Sequence, residues 1–534
     1  MKVLMIYPQF PEENFWNTKP VVKLFAHRAA VMPPLGFLTI ASYLPPDFEV
    51  RIADRNIAEE SEGDWEWADV IFFSVMLIQI DDFQVCVRNA LAHRKPFAVG
   101  GPLTHALPEL ALADADWVCF GEAESIMDDF VADLRAGRRG RQYQGGNQTN
   151  MESVRLPRFD LIPNINDYLV MAVQFSRGCP FRCEFCDIIE IYGRVPRTKT
   201  PVQVLDELSA LKALGFRGFV FLVDDNFIGN KRKAKVLLGE LADWNRDNGY
   251  PFAFSTEASI NMADDEELLR AMSRARLLNV FIGIETPDPR LLKTTLKNQN
   301  IPGDPLEKLR RIRGHGIHMS AGFILGFDGE TRDVFEVQRS FIEASGIGVA
   351  MVGLLQAIPH TQLSRRLERE GRLLENVYVR VGVTLEGMNF IPKGEMTRRE
   401  YLEGYCRLVE HLYTPENFFA RILPALLALD NVHRGLLWAQ VREQYPILLR
   451  LCYHLGIKVR GGRLRFWHAL FQVLRRNPQA LRAFAYDSYH FYRLREHVAY
   501  VSNQLKTYLA SATPDDVLDE VITDEETAAV SASR

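Results

Sequence analysis

Short apolar runs alternate with helix-like stretches through the first 135 residues of the chain. The apolar runs lie at 2–8, 48–54, 69–76, 96–101 and 116–122. Between them, apolar residues recur at helical spacing in 35–44, 81–93 and 124–134. This alternation is typical of a parallel, doubly wound sheet, so it predicts an α/β fold with a Rossmann-like first domain over 1–140. The loops that follow such strands form a ligand crevice.

A polar, glycine-rich segment separates this domain from a second alternating region. Residues 137–150 contain Gly, Arg, Gln and Asn without an apolar period, which predicts a linker over 141–165. From 166 to 392 the alternation resumes with about six strand–helix units, which is typical of a partial (β/α)6 barrel.

Helical periodicity without strands predicts a third, helical domain over 393–510. Between 434 and 495 this region has twelve basic residues and two acidic ones. Such a face suits contact with an anionic lipid surface, and it equally suits a solvated face that offsets acidity elsewhere. The tail at 511–534 is acidic and rich in small residues, so we expect it to be disordered.

Composition narrows the class of protein. The 534 residues, 47% hydrophobic and 25% charged, match a globular protein of two to four domains. A net charge of −5 gives no sign of nucleic-acid binding. Seven cysteines are too few for a disulfide framework, and the apolar start resembles a first strand, so we expect a cytoplasmic protein. No window reaches the about 18 apolar residues of a membrane-spanning helix, so any membrane contact would be peripheral.

Three of the cysteines form a compact motif. Cys179, Cys183 and Cys186 follow an apolar run at the spacing C-x3-C-x2-C. A [4Fe–4S] cluster usually takes four thiolates, and three leave one iron open for chemistry. A closed zinc site is the alternative, but it needs four ligands, usually as two separated pairs. The remaining cysteines do not supply a second pair: Cys406 and Cys452 lie alone in helical surroundings, and Cys86 and Cys119 resemble small core residues.

The cysteine motif, with Phe185 between its last two cysteines, resembles the signature of the radical S-adenosylmethionine enzymes. The resemblance implies a partial barrel and a [4Fe–4S] cluster whose unique iron is chelated by S-adenosylmethionine. One electron then cleaves the sulfonium to a 5′-deoxyadenosyl radical. It also implies an electron donor such as flavodoxin or ferredoxin.

Polar residues at strand ends match the positions at which this superfamily holds S-adenosylmethionine. The resemblance places Asp224, Asp225 and Asn226 at the methionyl amino group. It places Ser255, Thr256, Glu257 and Glu285 near ribose and methionine, and the run 322–327 beside adenine. An Asx turn, loop-backbone partners or a buried glycine-containing strand would explain the same residues.

The first domain resembles the cobalamin-binding domain of the B12-dependent radical S-adenosylmethionine class. No G-x-G-x-x-G follows the first strand, so a dinucleotide is disfavoured. The resemblance places Ser74, Met76 and Gln79 near the cobalt. It places Gly100, Gly101, Pro102, Leu103, Gly121 and Glu122 around the nucleotide tail. The D-x-H-x-x-G motif is absent at both His27 and His105, so no protein histidine is expected below the cobalt. A degenerate domain kept as scaffold is the alternative.

Six segments follow one another along the chain at 183–201, 223–235, 254–259, 281–289, 352–374 and 413–419, among them VDDNFIGNKRKAK, FIGIETPDP and YTPENFF. Read in this order, and over about residues 1–415, they resemble the branch that includes hopanoid C-2 methylases and bacteriochlorophyllide methylases. The branch implies methyl transfer from methylcobalamin to an unactivated carbon of a small hydrophobic molecule, a polycyclic lipid or a tetrapyrrole. Tyr192, Gly193 and Arg194 would line the cofactor interface, or else they pack the loop. His360 is expected to be a loop or packing residue.

Three functions therefore remain open from the sequence. The first is a cobalamin-dependent radical methyltransferase. The second is a cobalamin-binding radical enzyme that catalyses a cyclisation or rearrangement without methylation. The third is a non-catalytic protein that carries the cluster and cobalamin.

Overall fold

The computed structural model describes residues 1–15, 19–374, 387–430, 437–459, 461–513 and 516–522. These residues form two parallel sheets flanked by helices and a helical C-terminal region. The predicted fold class is confirmed. No helix among the described residues has both the length and the apolar character needed to span a membrane.

The first sheet has six parallel strands in the order β2-β1-β3-β4-β5-β6. They are β1 Lys2–Tyr7, β2 Glu49–Asp54, β3 Val70–Ser74, β4 Phe97–Gly100, β5 Trp117–Phe120 and β6 Arg141–Gln144. Its helices are Leu35–Ala41, Glu62–Trp67, Ile80–Ala92, Leu103–Ala106, Pro108–Leu112 and Met127–Ala136, whereas Lys19–Val21 and Val22–Ala26 (a π-helix) pack against the C-terminal helices. The central strands are apolar on both faces because helices cover both sides, and a separate hydrophobic cluster fills each side.

The segment predicted as a linker contains a strand of the first sheet. β6 pairs with β5, and Tyr143 lies opposite Cys119. Tyr143 is buried and donates a hydrogen bond to Asp133 Oδ2 at 2.7 Å, while its neighbours in the strand are exposed. One inward side chain is enough for an edge strand, so the apolar signal was too weak to find it.

The second sheet has six parallel strands in chain order. They are β7 Val170–Val173, β10 Gly218–Leu222, β11 Phe252–Glu257, β12 Leu277–Glu285, β13 His318–Leu325 and β14 Ala350–Leu354. Two short antiparallel strands, β8 Ser176–Arg177 and β9 Arg197–Thr198, lie beside it. Its helices are Ile188–Ile191, Pro201–Ala213, Lys231–Asp247, Glu266–Arg274, Pro289–Thr294, Pro305–Arg313, Val334–Ser345 and Gln362–Arg369. This is the predicted partial (β/α)6 barrel.

Alternate residues of these strands face two different environments. On β11, Phe252, Phe254 and Thr256 are buried towards the helices, whereas Ser255 and Glu257 keep accessible surface on the other side. A period of two places the second set in the interior of the barrel, which we call the lumen.

The helical region closes the lumen at the amino ends of the strands. Its helices are Arg398–Leu412, Pro415–Leu427, Leu437–Tyr453, His454–Lys458 (a π-helix), Arg463–Arg476 and Leu481–Ser511. In the last of these, Asp487 accepts a hydrogen bond from His318 Nε2 at 3.2 Å, and Tyr486 Oη lies 3.3 Å from Ser320 Oγ. Both partners lie in the first half of β13, so this helix forms the lumen floor.

Part of the predicted disordered tail packs against the fold. Leu518 is buried, Asp519 pairs with Arg399 at 2.6 Å, and Ile522 forms a β-bridge with Lys393. A few apolar residues among the acidic ones anchor this stretch, which composition alone does not reveal. Residues 514–515 and 523–534 lie outside the described residues.

A buried carboxylate joins the two sheets at their carboxyl edges. Glu122, after β5, accepts two hydrogen bonds from Arg197 at 2.7 and 2.8 Å and a third from the Thr149 N–H at 2.8 Å. Arg177 lies 3.5 Å from the same carboxylate. Glu122 has no exposed side-chain surface, so these partners must neutralise it.

Replacing Glu122 by Gln should destabilise the protein strongly, because the nearly buried Arg197 would lose its carboxylate partner, whereas Arg177 keeps its ion pair with Glu124 at 2.7 Å. We expect a loss of about 3–5 kcal/mol in the free energy of unfolding. Asp47→Asn, which removes an exposed partner of Arg135, is the matched control and should cost at most about 1 kcal/mol. Urea unfolding measures the free energy of unfolding of both variants. An equal loss in the two variants would contradict the stabilising role of Glu122 between the two sheets.

Candidate active site

The cysteine motif lies in a loop that is closed at its base. β8 and β9 pair at either end of the loop, and Asp224, after β10, accepts hydrogen bonds from the Phe175 N–H at 3.2 Å and from Ser176 Oγ at 2.5 Å. Gly178 has φ +90°, and a methyl group there would come within 2.8 Å of Val195 O. The loop therefore needs glycine at position 178. The paired strands and Asp224 hold the two ends of the loop in place.

The three thiols come together within this loop. Cys183 is buried, and Cys179 and Cys186 are half-buried. Burial raises the pKa of Cys179 and of Cys186, and the neighbouring thiols raise both further.

Amide groups point at two of the sulfurs. Asn226 Nδ2 lies 3.8 Å from Cys179 Sγ, and Gln299 Nε2 lies 3.5 Å from Cys183 Sγ. Three sulfur donors with N–H groups directed at them fit an iron–sulfur cluster.

Asp224 and Asn226 have other partners than the predicted methionyl amino group. Asp224 is almost fully buried and holds the base of the cysteine loop. Asn226 uses its amide nitrogen on Cys179, and its Oδ1 accepts from the Ser259 N–H and hydroxyl at 3.3 and 3.2 Å. Strand-end polar groups in this loop thus satisfy nearby backbone and the sulfur, and a contact of either residue with the methionyl amino group stays a prediction.

Two carboxylates line the lumen beside this loop without a cationic partner. Burial raises the pKa of Glu257 to about 8, and the charges of Asp225 and Glu285 add to the effect. Burial raises the pKa of Asp225 to about 7, with Asp224 and Asp187 adding to it. Neither side chain accepts a hydrogen bond from another described residue, and both keep accessible surface. Such a pair favours a bound cation, which fits the amino and sulfonium groups of S-adenosylmethionine.

Glu285 has a lysine as its partner. Its carboxylate forms a buried ion pair with Lys297 Nζ. Its backbone has φ +64°, and its carbonyl accepts from Gln338 Nε2 at 2.8 Å. A methyl group at Gly283 would come within 2.5 Å of the Glu285 carboxylate, so a larger residue there would displace the ion pair. A direct contact of Glu285 with the cofactor stays a prediction, and Lys297 and Gly283 are residues that the sequence analysis missed.

The other predicted residues of the barrel divide between the lumen and the wall. Ser255 faces the lumen with Glu257, whereas Thr256 is buried and donates to Leu222 O at 2.9 Å. Phe185 packs against Phe327 with ring centroids 5.8 Å apart, and Lys297 Nζ lies 5.8 Å from the Phe185 ring.

Within the predicted adenine strand, residues again alternate. In the run 322–327, Phe323 and Leu325 pack into the core, while Gly322 faces the lumen beside Phe281. Only the lumen-facing half of this run is placed to meet a ligand.

In the first domain, small and flexible residues stand at the carboxyl edge that faces the cysteine loop. Ser74 and Gly100 end β3 and β4 and are half-buried, and Met76 is exposed. Gly101 has φ +91°, and a methyl group there would come within 2.8 Å of Val75 N. Pro102 directly precedes the helix Leu103–Ala106. An edge without bulky side chains fits a large flat cofactor.

Four of the predicted cobalamin residues have structural contacts of their own, and their contact with cobalamin stays a prediction. Gln79 is fully buried, and its side chain accepts from the Met76 N–H and donates to Pro8 O. Leu103 lies in the core of the sheet. Gly121 packs closely against the backbone of Gly146, and Glu122 pairs with Arg197 and Arg177. Buried loop residues satisfy one another, which a sequence motif does not show.

The loop after the cysteines packs mainly by its backbone. Gly193 O accepts from the Cys179 N–H at 3.2 Å, and Tyr192 O accepts from Arg197 Nη2 at 2.9 Å. Arg194 donates to Pro180 O at 3.3 Å. Burial raises the pKa of the Tyr192 hydroxyl to about 12. These contacts support the loop-packing alternative.

Two histidines meet where the domains face each other. The rings of His105, after β4, and His360, after β14, lie 5.5 Å apart. His105 Nε2 is buried and has no hydrogen-bond partner among the described residues. Burial lowers the pKa of His105, and His360 lowers it further. No spacing in the sequence pairs these two loops, so this contact was missed.

Comparisons with known families follow the same division of the chain. The model of the B12 binding domain matches residues 21–131, and that of the Radical SAM superfamily matches residues 173–339. A domain of unknown function, DUF4070, matches residues 361–506.

Two proteins are similar over most of the chain. An uncharacterized methyltransferase of Synechocystis sp. is 39% identical over 98% of this chain and 97% of its own length. The hopanoid C-2 methylase of Rhodopseudomonas palustris is 38% identical over 70% of this chain and 71% of its own length. The solved structure of the cobalamin-dependent S-adenosylmethionine radical enzyme OxsB with aqua-cobalamin aligns with a TM-score of 0.60 at 14% identity, covering 100% of this chain and 83% of OxsB.

Replacing Gln299 by Leu should make the bound cluster harder to reduce, because it removes an N–H group directed at the Cys183 sulfur. We expect a reduction potential lower by on the order of 60 mV, which corresponds to about 1.4 kcal/mol for one electron. Redox titration of the reconstituted protein measures it. Asn298→Leu, at the exposed neighbouring position, is the control and should leave the potential unchanged. A potential unchanged in Gln299→Leu would contradict the N–H···S contact.

Replacing Glu257 by Gln should weaken S-adenosylmethionine binding and remove a pH dependence. Losing a hydrogen bond to a charged group costs about 1.5–3 kcal/mol, tenfold or more in the dissociation constant, which equilibrium dialysis measures. In the cofactor-free protein, the unfolded chain ionises this group near 4.5, whereas the folded chain holds the proton until pH about 8. The unfolded state thus binds fewer protons in that window, and wild-type stability falls as pH rises.

The variant should lack the part of this slope that Glu257 contributes, which denaturant unfolding across the window measures. Glu240→Gln, on the helix Lys231–Asp247, is an exposed control for both readouts. Unchanged affinity and an unchanged slope in Glu257→Gln would show that this carboxylate neither meets the cofactor nor stays protonated.

Proposed function

Because this chain belongs to the cobalamin-binding radical S-adenosylmethionine family, we propose that it methylates an unactivated carbon of a hydrophobic small molecule. It is a cobalamin-dependent radical S-adenosylmethionine methyltransferase with a [4Fe–4S] cluster. The observation that carries the proposal is the facing of two carboxyl edges, held together by Glu122, Arg177 and Arg197. The edge of the second sheet carries the three cysteines. The edge of the first sheet carries Ser74, Met76, Gly100 and Gly101, which we call the cofactor shelf. The cysteines and the cofactor shelf therefore face the same space between the domains.

Each edge would hold its cofactor through a small set of residues. We propose that Cys179, Cys183 and Cys186 hold the cluster and that Asp225, Ser255 and Glu257 hold S-adenosylmethionine. Ser74, Met76, Gly100 and Gly101 would border cobalamin. When bound, these cofactors supply a hydrogen-abstracting radical and the methyl group that is transferred.

The lumen suits an apolar substrate and keeps water away from a reactive carbon. Phe221, Phe281, Ile324 and Met351 project from four strands into it, each with some accessible surface. The floor below them is closed by the helix that carries Tyr486. A closed, apolar chamber limits side reactions of a radical.

These features support a polycyclic lipid, the kind of substrate named for the hopanoid methylase, or a tetrapyrrole of similar apolar character. The carboxylates Asp225 and Glu257 lie at the open end of the lumen, at the carboxyl ends of the strands. The polar cofactor would therefore bind near this end, and the apolar substrate would bind deeper in the barrel. We propose a cytoplasmic enzyme that receives electrons from flavodoxin or ferredoxin, because the cluster needs one-electron reduction.

Anaerobic incubation of the reconstituted protein with methyl-labelled S-adenosylmethionine and an organic extract of the source cell tests this function. We expect label in an organic-soluble product, with S-adenosylhomocysteine and 5′-deoxyadenosine formed in equal amounts. Mass spectrometry identifies the product.

Cys183→Ala should abolish 5′-deoxyadenosine formation, because the cluster loses one of three protein ligands. Cys452→Ala removes a half-buried cysteine outside the site and should retain activity. Formation of 5′-deoxyadenosine without S-adenosylhomocysteine would instead identify a rearrangement without methylation.

A further inference from the structure

The C-terminal helices carry a concentrated set of exposed apolar side chains. It lies on the end of the helix Leu437–Tyr453, the π-helix that follows and the helix Arg463–Arg476. The set, which we call the apolar stripe, consists of Tyr445, Leu449, Tyr453, Ile457, Leu464, Trp467, Phe471 and Leu474. Their exposed fractions run from 41% for Trp467 to 85% for Leu464. Large apolar side chains left this open on one surface mark an interaction site.

The stripe follows helical geometry on both elements. Tyr445, Leu449 and Tyr453 are spaced by four, and Leu464, Trp467, Phe471 and Leu474 are spaced by three or four. The opposite sides of the same elements are buried, for example at Leu451 and Phe466. The helices are therefore anchored to the fold by one face and present the other outward.

The two parts of the stripe adjoin each other. Trp467 Nε1 donates to Gly456 O at 3.0 Å, and a methyl group at Gly456 would come within 2.7 Å of the Trp467 ring. The π-helix thus packs directly on the second helix. The two parts of the stripe therefore adjoin at Gly456 and Trp467.

Basic side chains border the stripe, and no acidic residue interrupts it. Lys458, Arg465, Arg475 and Arg476 are exposed on the same elements, and Arg463 is half-exposed. The sequence has no Asp or Glu from Tyr445 to Tyr486. Exposed aromatic and aliphatic side chains, flanked along these elements by basic residues, match the interface of an anionic bilayer.

We propose that the apolar stripe docks the protein on an anionic lipid surface. The stripe enters the boundary between headgroups and acyl chains, and the lysine and arginines contact the phosphates. A second copy of the chain is a poorer occupant, because it would bring the two basic rims together. The charge count left two interpretations of this basic region, a lipid-binding face and a solvated face. The apolar stripe favours the lipid-binding face, because a face that is only solvated does not need eight exposed apolar side chains.

Docking serves the proposed function by bringing the enzyme to a water-insoluble substrate, but it does not depend on that function. Vesicle binding is measured without turnover. A failure to bind vesicles leaves methyl transfer untouched, and a failure of methyl transfer leaves docking untouched.

Flotation of the reconstituted holoprotein with phosphatidylcholine vesicles, alone or mixed with phosphatidylglycerol, tests the proposal. We expect binding to the anionic vesicles that weakens as salt is added. Leu464→Ser with Phe471→Ser, and separately Arg475→Gln with Arg476→Gln, should each reduce partitioning at least tenfold. Leu91→Ser with Val236→Ser removes two comparably exposed residues elsewhere and should leave partitioning unchanged.

Three results would overturn the proposal. One is no binding of the wild-type protein to anionic vesicles. Another is equal loss in the control and stripe variants. The third is a dimer in sedimentation velocity that Leu464→Ser with Phe471→Ser dissociates, because the stripe would then join two copies of the chain. Cleavage of S-adenosylmethionine by each variant checks that the site remains folded.

Discussion

The salt bridge of Glu122 with Arg197 and Arg177 is the interaction on which the rest of the site depends. It links the loop after β5 of the first sheet to the two short strands at the base of the cysteine loop. Separation of the two domains would break the two hydrogen bonds from Arg197 to this buried carboxylate. The cofactor shelf and the three thiols are therefore held facing each other before any ligand arrives.

Charge is distributed unevenly inside the barrel. Glu285 is neutralised by Lys297 next to the cysteines, whereas Asp225 and Glu257 form no ion pair among the described residues, and burial raises the pKa of both. The uncompensated pair lies where a positively charged ligand gains most from binding. Glu285 has a positive φ, which costs conformational energy, and Gly283 beside it leaves room for the Glu285 carboxylate. The fold therefore tolerates local backbone strain where the ion pair of Glu285 with Lys297 forms.

The sequence predicted the architecture better than the individual contacts. Alternating apolar runs were enough for both parallel sheets, and the spacing of Cys179, Cys183 and Cys186 was enough for the cluster loop. The edge strand at Tyr143 was missed because one buried residue leaves almost no pattern.

Side-chain roles were less predictable because they depend on partners far apart in the chain. Asp224, Gln79 and Glu122 are polar residues at strand ends, as cofactor ligands would be, yet each is used to satisfy nearby backbone or a distant arginine. The pairing of Lys297 with Glu285 has no short-range signature. The apolar stripe was likewise hidden, since helical spacing alone does not tell a buried face from an exposed one.

The most direct test of the account is the composition and spectrum of the anaerobically reconstituted protein. The account predicts about four iron and four sulfide ions per chain. It also predicts an electron paramagnetic resonance signal of the reduced cluster that changes when S-adenosylmethionine is added, because one iron lacks a protein ligand. A single bound zinc ion, or a cluster signal that S-adenosylmethionine leaves unchanged, would contradict it.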